Sequence, residues 1–297
     1  LYGMELDDFL YGESHNGYYH AIWAADLCAR YVTYDHLSDI REKVLIVPMA
    51  MTMPDRVADA IADFVAAGGI LIADALTGMF DERGWLRANL PAGKLAAVSG
   101  ILEGEMICSS PDNDLTIPTA DGTIRDQTSN NLIPMDPIYH GPPITFSWPI
   151  QGNVPAHGYL VPLELNGARA IGHYDDMVLA THHNHGQGQV YYFGTYMGLA
   201  LSKNIPDAHR LMSTILKEHT TPVVRGDRLR PRLIAGDERS LLAVFNDNLE
   251  HEVTEAIQLP NRYHSARDIT DNTPLEMKDS SVMVTVAPDS ATVLVLE

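Results

Sequence analysis

The chain has 297 residues, 45% of them hydrophobic, enough for two compact domains with buried cores. Twenty Lys and Arg stand against 39 Asp and Glu, a formal charge of −19, so a polyanion such as nucleic acid would be repelled rather than neutralised. No stretch reaches the ~18 consecutive apolar residues of a membrane-spanning helix. The opening Leu1-Tyr2-Gly3-Met4-Glu5 is neither a signal peptide nor a natural initiator, so the chain is expected to be cut from a longer parent, for which a cytoplasmic location is favoured and export stays open.

In chain order, Asn16 to Ala25 reads as a short helix with Tyr19, Ile22 and Trp23 on one face. A strand is expected at 27–34, then a turn at His36 to Asp39. Lys43-Val44-Leu45-Ile46-Val47-Pro48 is an unbroken β-branched run, the pattern of a parallel strand covered on both faces. Pro54 and Gly68-Gly69 punctuate the next helix, whose Val57, Ile61, Phe64 and Val65 fall at spacings of three and four. Ile70-Leu71-Ile72-Ala73-Asp74 follows at once, so the stretch reads as a βαβ unit with a right-handed crossover.

Residues 110–156 are rich in Pro, Asp, Asn and Gly and read as a long excursion, expected to be functional, interfacial or mobile. Strands resume at 158–165, 168–174, 177–183 and 189–194, the second and third pairing as a hairpin and Gly186-Gln187-Gly188 making the last turn. A helix over 206–218 opens at Pro206 and carries Leu211, Ile215 and Leu216. Thr221-Pro222 marks the domain boundary, giving an α/β domain over 1–220 and a β domain over 221–297. The second part reads as a small antiparallel sandwich with strands at 230–235, 240–246, 252–259, 264–269, 281–287 and 291–296.

Chemistry-bearing residues are weighed against structural roles. The acidic neighbours Asp7-Asp8, Asp81-Glu82 and Asp175-Asp176 are read as turn or cap residues, since neighbours on a strand point to opposite faces. A nucleophilic Cys belongs on a tight strand-to-helix turn beside a His. The turn after Ile70 to Asp74 reads Ala75-Leu76-Thr77-Gly78 and holds no Cys. Cys28 and Cys108 are read as two small buried thiols, with a disulfide unsupported. His182-His183-Asn184-His185 ends a hairpin strand, where His183 and His185 would share a face; a polar rim is the reading preferred, and metal binding by His182, His183 and His185 stays open. Trp23 is assigned to core, while Trp85 and Trp148 lie in loop-like segments suited to a pocket or an interface. No catalytic, cofactor-binding or metal-binding residue is assigned.

Three stretches carry a family resemblance: Tyr18 to Trp23 followed by Val44 to Pro48; Phe64 through Gly68-Gly69 and Asp74 to Thr77-Gly78-Met79-Phe80-Asp81-Glu82; and Gly186 to Thr195. Together they resemble the segment after the catalytic barrel in family 42 glycoside hydrolases, which are β-galactosidases. The resemblance implies a flavodoxin-like or class I glutamine-amidotransferase-like domain with a parallel sheet, used for trimerisation, then a C-terminal β domain. It implies a non-catalytic oligomerisation and active-site-shaping portion of an enzyme that hydrolyses terminal β-D-galactosides. The family's catalytic glutamates lie on a barrel for which this sequence has no place. The implied partners are further copies of the chain in a homotrimer, the missing barrel of the parent and, through the parent, a carbohydrate substrate; no cofactor, nucleic acid or membrane is implied. The resemblance also implies one more sheet strand before Leu1, an unfilled position that would expose backbone groups. Pro142 to Pro149, an apolar loop on this reading, is expected to pack on another subunit or on the missing barrel. The competing readings are an independent amidotransferase-like enzyme and a sugar- or metal-binding module.

Overall fold

The structure is a computed structural model. It describes residues 4–108, 117–118, 123–125, 132–134, 141–220, 223–234, 236, 239–260 and 262–297, with the side chains of 4–9 and 108–140 outside the description. Two compact units are present. One is Leu1–Ala21 with Tyr31–Thr220; the other is Ile22–Arg30 with Thr221–Glu297.

The larger unit is built on a seven-stranded sheet. Its strands in chain order are β1 (Val44–Val47), β2 (Ile70–Asp74), β3 (Pro143–Phe146), β4 (Gly152–Pro155), β5 (Arg169–Tyr174), β6 (Met177–His185) and β7 (Gly188–Phe193). The spatial order is β1-β2-β7-β6-β5-β3-β4. Each residue of β2 is buried, because β2 lies between β1 and β7 and is parallel to both. The expected parallel sheet is confined to these three strands, and every other pair is antiparallel. The reason is connection length. Tight turns at Asp175-Asp176 and Gly186-Gln187 return the chain at once, whereas parallel neighbours need a crossover of a dozen or more residues.

That crossover is helix α2, Asp55–Ala66. Pro54 precedes its first residue and Val57, Ala58, Ile61, Ala62 and Val65 form its buried stripe. Gly68 turns the chain at φ 112, a conformation that side-chain-bearing residues avoid, before β2 begins two residues later. The stripe packs on Leu71, Ala73, Val190 and Tyr192 of the sheet and on Leu95 and Val98 of a short helix, α3 (Leu95–Ser99). A second cluster joins Met49, Leu76, Val161, Tyr196 and Leu199.

Two differences from the sequence reading concern local structure. The expected strand at 27–34 is absent; the chain runs there without regular structure into a 3-10 helix, Tyr34–Asp39. With Arg30, Tyr31 and Thr33 exposed, this segment has no apolar face to give a sheet. Conversely, the expected loop over Pro142 to Pro149 contains strand β3. Its Ile144 and Phe146 are buried, and it pairs with both β4 and β5. Proline at its first position sacrifices no ladder donor that the strand interior needs.

Helix α1 spans Met4–Ala24, longer than the sequence reading. It meets α4 (Met197–Ser202) at backbone distance: a Cβ on Gly17 would lie 1.9 Å from the Gly198 carbonyl oxygen, and one on Gly198 would lie 2.1 Å from Ser14 Oγ. Helix α5, Pro206–His219, buries Ala208, Leu211, Met212, Ile215 and Leu216, the three residues its spacing predicts and two more.

Among its described residues the smaller unit has two antiparallel sheets. One orders β8 (Arg230–Ile234), β9 (Ser240–Asn246), β15 (Ser290–Leu296), β11 (Ala266–Asp268) and β12 (Pro274–Leu275) as β8-β9-β15-β11-β12. The other orders β10 (Val253–Gln258), β14 (Ser281–Val286) and β13 (Met277–Lys278) as β10-β14-β13. Alternation places Leu242, Val244, Leu294 and Leu296 of the first and Val253, Ile257, Val282, Val284 and Val286 of the second in one core. The segment Ile22–Arg30 belongs to this unit through Trp23. Its ring meets Phe245 edge-on at 5.0 Å, and the Arg232 guanidinium lies 4.1 Å above it while donating 2.7 Å to the Trp23 carbonyl. Asp26, at φ 61, ion-pairs with Arg230 at 3.3 Å and Arg232 at 3.5 Å.

Candidate functional site

Three features of the larger unit concentrate chemistry. The first is the turn after β2. Leu76 there adopts φ 62, a left-handed conformation costing a side-chain-bearing residue about 1–2 kcal/mol. The turn is held from both sides. The Leu76 N–H donates to Glu103 Oε1 at 2.8 Å, and Thr77 Oγ1 donates to the Asp74 carbonyl at 2.7 Å. Tyr192 donates its hydroxyl to the same Glu103 oxygen at 2.5 Å. Asp74, fully buried, accepts from the Tyr18 hydroxyl at 2.6 Å and from the Met197 N–H at 3.2 Å. Burial pushes each carboxyl up to about 7, against hydrogen bonds that favour the charged form. The two carboxyls therefore tie the turn to α1, to α4 and to β7. Sequence reading overlooked both. Asp74 carried a signal, an acidic residue closing a strand of continuous apolar residues, whereas Glu103 stands in no motif.

The second feature is an aromatic face. Tyr11, Tyr31, Tyr34, Trp85 and Leu86 are all exposed, Trp85 by 72%. The Tyr11 and His15 rings lie 4.0 Å apart, and His15 and Tyr31 stack at 6.3 Å. The Tyr34 hydroxyl donates to the Thr52 carbonyl at 2.9 Å; Thr52 bridges Phe80, and Phe80 bridges Leu86. Trp85 follows the turn Asp81 to Gly84, just after the Thr77 to Glu82 stretch, and its carbonyl accepts the Asp81 N–H at 3.0 Å. Asp81 Oδ1 accepts the Arg83 and Trp85 N–H groups, both at 2.9 Å, and the Trp85 N–H holds that carboxyl below the usual range. Asp81 thus has the turn role expected of it, as does Asp175 at φ 48 between β5 and β6; the side chains of Asp7 and Asp8 lie outside the described residues.

The third feature is a cleft of about 480 Å³ lined by Trp148, Arg169, His182, His183, Asn184, Gln189 and Glu218, with Gly167 in its wall. Adjacent antiparallel strands supply most of it: Arg169 stands opposite His182, and His182 opposite Tyr191. The Trp148 and Tyr191 rings are parallel within 4°, centroids 5.9 Å apart, and Arg169 lies 4.3 Å over the indole. Burial lowers the pKa of His182, whose Nε2 donates to Gln189 Oε1 at 3.1 Å.

His183 and His185 share a face, ring centroids 6.2 Å apart, and His183 donates from Nδ1 to the Val98 carbonyl at 2.8 Å. Among the described residues no group of three or more His, Cys, Asp or Glu gathers to hold a metal. Cys28 is an exposed free thiol, contrary to the buried one expected, because it lies on the irregular segment after α1, where its Sγ donates to the Leu233 carbonyl at 3.9 Å. The Cys108 side chain lies outside the described residues.

Comparison with known families matches residues 3–222 to the family described as the β-galactosidase trimerisation domain. The chain belongs to that family. The trimerisation-domain match spans all three features above. Solved structures share the fold across nearly the whole chain. The β-galactosidase of Bacillus circulans sp. alkalophilus is 17% identical with a TM-score of 0.67, covering 97% of this chain and 38% of that one. A catalytic mutant of a family 42 β-galactosidase from G. stearothermophilus is 16% identical (TM-score 0.61; 96% and 36% covered). The cold-adapted β-galactosidase of Rahnella sp. R3 is 18% identical (TM-score 0.57; 95% and 36% covered). The chain therefore spans little more than a third of the length of these enzymes. No curated protein matches it.

Proposed function

We propose that this chain is the oligomerisation and active-site-shaping portion of a β-galactosidase-type glycoside hydrolase, and that it associates as a homotrimer. The parent reaction on this reading is hydrolysis of terminal β-D-galactosides by a barrel that this sequence has no room for. The observation that carries the reading is the family match over 3–222 together with the exposed aromatic face that lies inside it. Large exposed apolar patches on a soluble unit usually have a partner, and aromatic anchors dominate the energetics of association. The loop presenting Trp85 and Leu86 is shaped by Asp81, in the Thr77 to Glu82 stretch.

The finer fold reading is a glutamine-amidotransferase-like domain over 1–220 and a β-sandwich domain over 221–297. Support comes from the β1-α2-β2 crossover and the left-handed residue at the turn after β2, where an amidotransferase would place its Cys. Leu76 occupies that turn, and its side chain has no nucleophile. The face is tested by replacing Tyr34 and Trp85 together with Ser. Both are exposed, so the thermal midpoint is expected to hold within a few degrees while the mass in solution falls from three chains to one. An unchanged mass would move the interface elsewhere.

A further inference from the structure

We infer that the Trp148 cleft is a binding site for a neutral saccharide, one that presents an apolar ring face beside adjacent hydroxyls. The proposal concerns a site separate from the aromatic face and does not depend on how the chain associates.

The cleft has the parts such a ligand needs, and they come from five separate places in the chain. The aromatic surface comes from Trp148, half-buried, which rests on the fully buried Tyr191 and on His182, tilted against it at 4.9 Å; the Arg169 guanidinium lies 4.3 Å over the indole and must swing aside for a sugar ring to stack there. Carbohydrate recognition also needs planar groups that pair with two neighbouring hydroxyls at once. Arg169 offers a fork of donors and Glu218 a pair of acceptors, and both side chains are exposed in the cleft. Among the described residues these two form no ion pair with each other, so neither is spent on the other. Asn184 adds an amide that both donates and accepts. His182 is held by Gln189 with its Nε2 proton donated, which leaves Nδ1 as an acceptor. His183 is held the other way, Nδ1 donating to Val98, which leaves Nε2 as an acceptor.

The space is suited too. The cleft volume falls within the ~300–1,000 Å³ of small-molecule sites. Gly167, at φ 104, keeps the wall beside His183 low: a Cβ there would sit 3.4 Å from His183 Nε2. Charge decides between ligand classes. Arg169 is opposed by Glu218 within the cleft, and the chain carries −19 overall, so an anionic sugar is disfavoured against a neutral one.

The test is saturation-transfer difference NMR on the full 297-residue chain with lactose as the probe and galacturonate as the anionic control. Saturation is expected to reach the lactose ring protons, with galacturonate several-fold weaker. Trp148→Ala is expected to reduce the lactose signal roughly tenfold, the scale of losing an aromatic anchor. Because Trp148 is partly buried, Arg169→Met serves as the second variant; the residue is exposed, the thermal midpoint should not move, and the lactose signal should fall several-fold. No transfer to lactose on the unmodified chain overturns the proposal. So does a signal that neither variant diminishes, or a galacturonate signal equal to that of lactose.

Discussion

Replacing Gly17 by Ala is expected to destabilise the larger unit by about 1–3 kcal/mol, the range for overpacking a tight contact. The sign is not obvious from helix propensity. In an open helix interior the same change would stabilise by about 0.5–1 kcal/mol. Here the added Cβ would stand 1.9 Å from the Gly198 oxygen and 2.6 Å from the Ser202 nitrogen. Both are backbone atoms, so no rotamer change relieves the clash; α1 must move away from α4. That movement would also pull Tyr18 from Asp74, a buried hydrogen bond of 2.6 Å, and leave a buried carboxyl short of a partner. Gly12 lies on the same helix with nothing within 4 Å of its Cβ position. Gly12→Ala should therefore raise the thermal midpoint by roughly 2–4 °C per kcal/mol gained while Gly17→Ala lowers it. Midpoints that move in the same direction would contradict the packing described for α1 and α4.

The second large effect concerns pH. Asp74 and Glu103 stand at about 7 in the folded chain against ordinary values of 3.8 and 4.5. Folding therefore takes up protons between about pH 4 and pH 7. The stability linked to this uptake is fully present below the unfolded values and is lost as pH rises through the folded ones. Lowering pH from 8 to 5 should raise the thermal midpoint of the larger unit, the two carboxyls together contributing on the order of a few kcal/mol. His182 and His219, half-buried and lowered by that burial, oppose this within the same window. Asp39 and Asp81 also act with the opposite sign, since hydrogen bonds from His36 and from the Trp85 N–H hold them below the usual range. Both are surface groups, so their loss below about pH 4 is small by comparison. Relief of the −19 charge also favours acid. The variant Asp74→Asn with Glu103→Gln separates the contributions: it should flatten the pH 5 to 8 dependence while leaving the fall below pH 4. An equally steep slope in the variant would show that the two carboxyls are not protonated on folding.

The residues of the larger unit differ in how much of this they disclose in sequence. β1, α2 and β2 were legible because Pro54 and Gly68 punctuate them and because a strand buried on both faces is written as a continuous apolar run. β3 was not, since Pro142-Pro143 argues against a strand and its partners lie far along the chain in β4 and β5. Nor was the length of α1: Gly12 and Gly17 depress helix propensity, and only its contact with α4 explains the second of them. For the candidate site, the end-of-strand position of His182 to His185 followed from the Gly186-Gln187-Gly188 turn. The meeting of His182 with Trp148 and Arg169 depends on the register of β5 on β6 and on where the chain leaves β3, and no local pattern encodes it. Likewise Glu103 accepts the N–H of Leu76, a left-handed residue 27 positions earlier, a pairing no local pattern encodes. Trp85 had a partial signal, an Asp-Glu-Arg-Gly turn followed by a large apolar residue, whereas the exposure of Tyr11, Tyr31 and Tyr34 had none.

The proposed self-association of this chain runs through the trimerisation-type unit. Sedimentation equilibrium of the unmodified 297-residue chain across a wide dilution range tests it most directly. The predicted result is a species of three chains that persists on dilution. A species of one chain at every concentration, from protein whose cooperative thermal transition shows it to be folded, would rule out association through this unit.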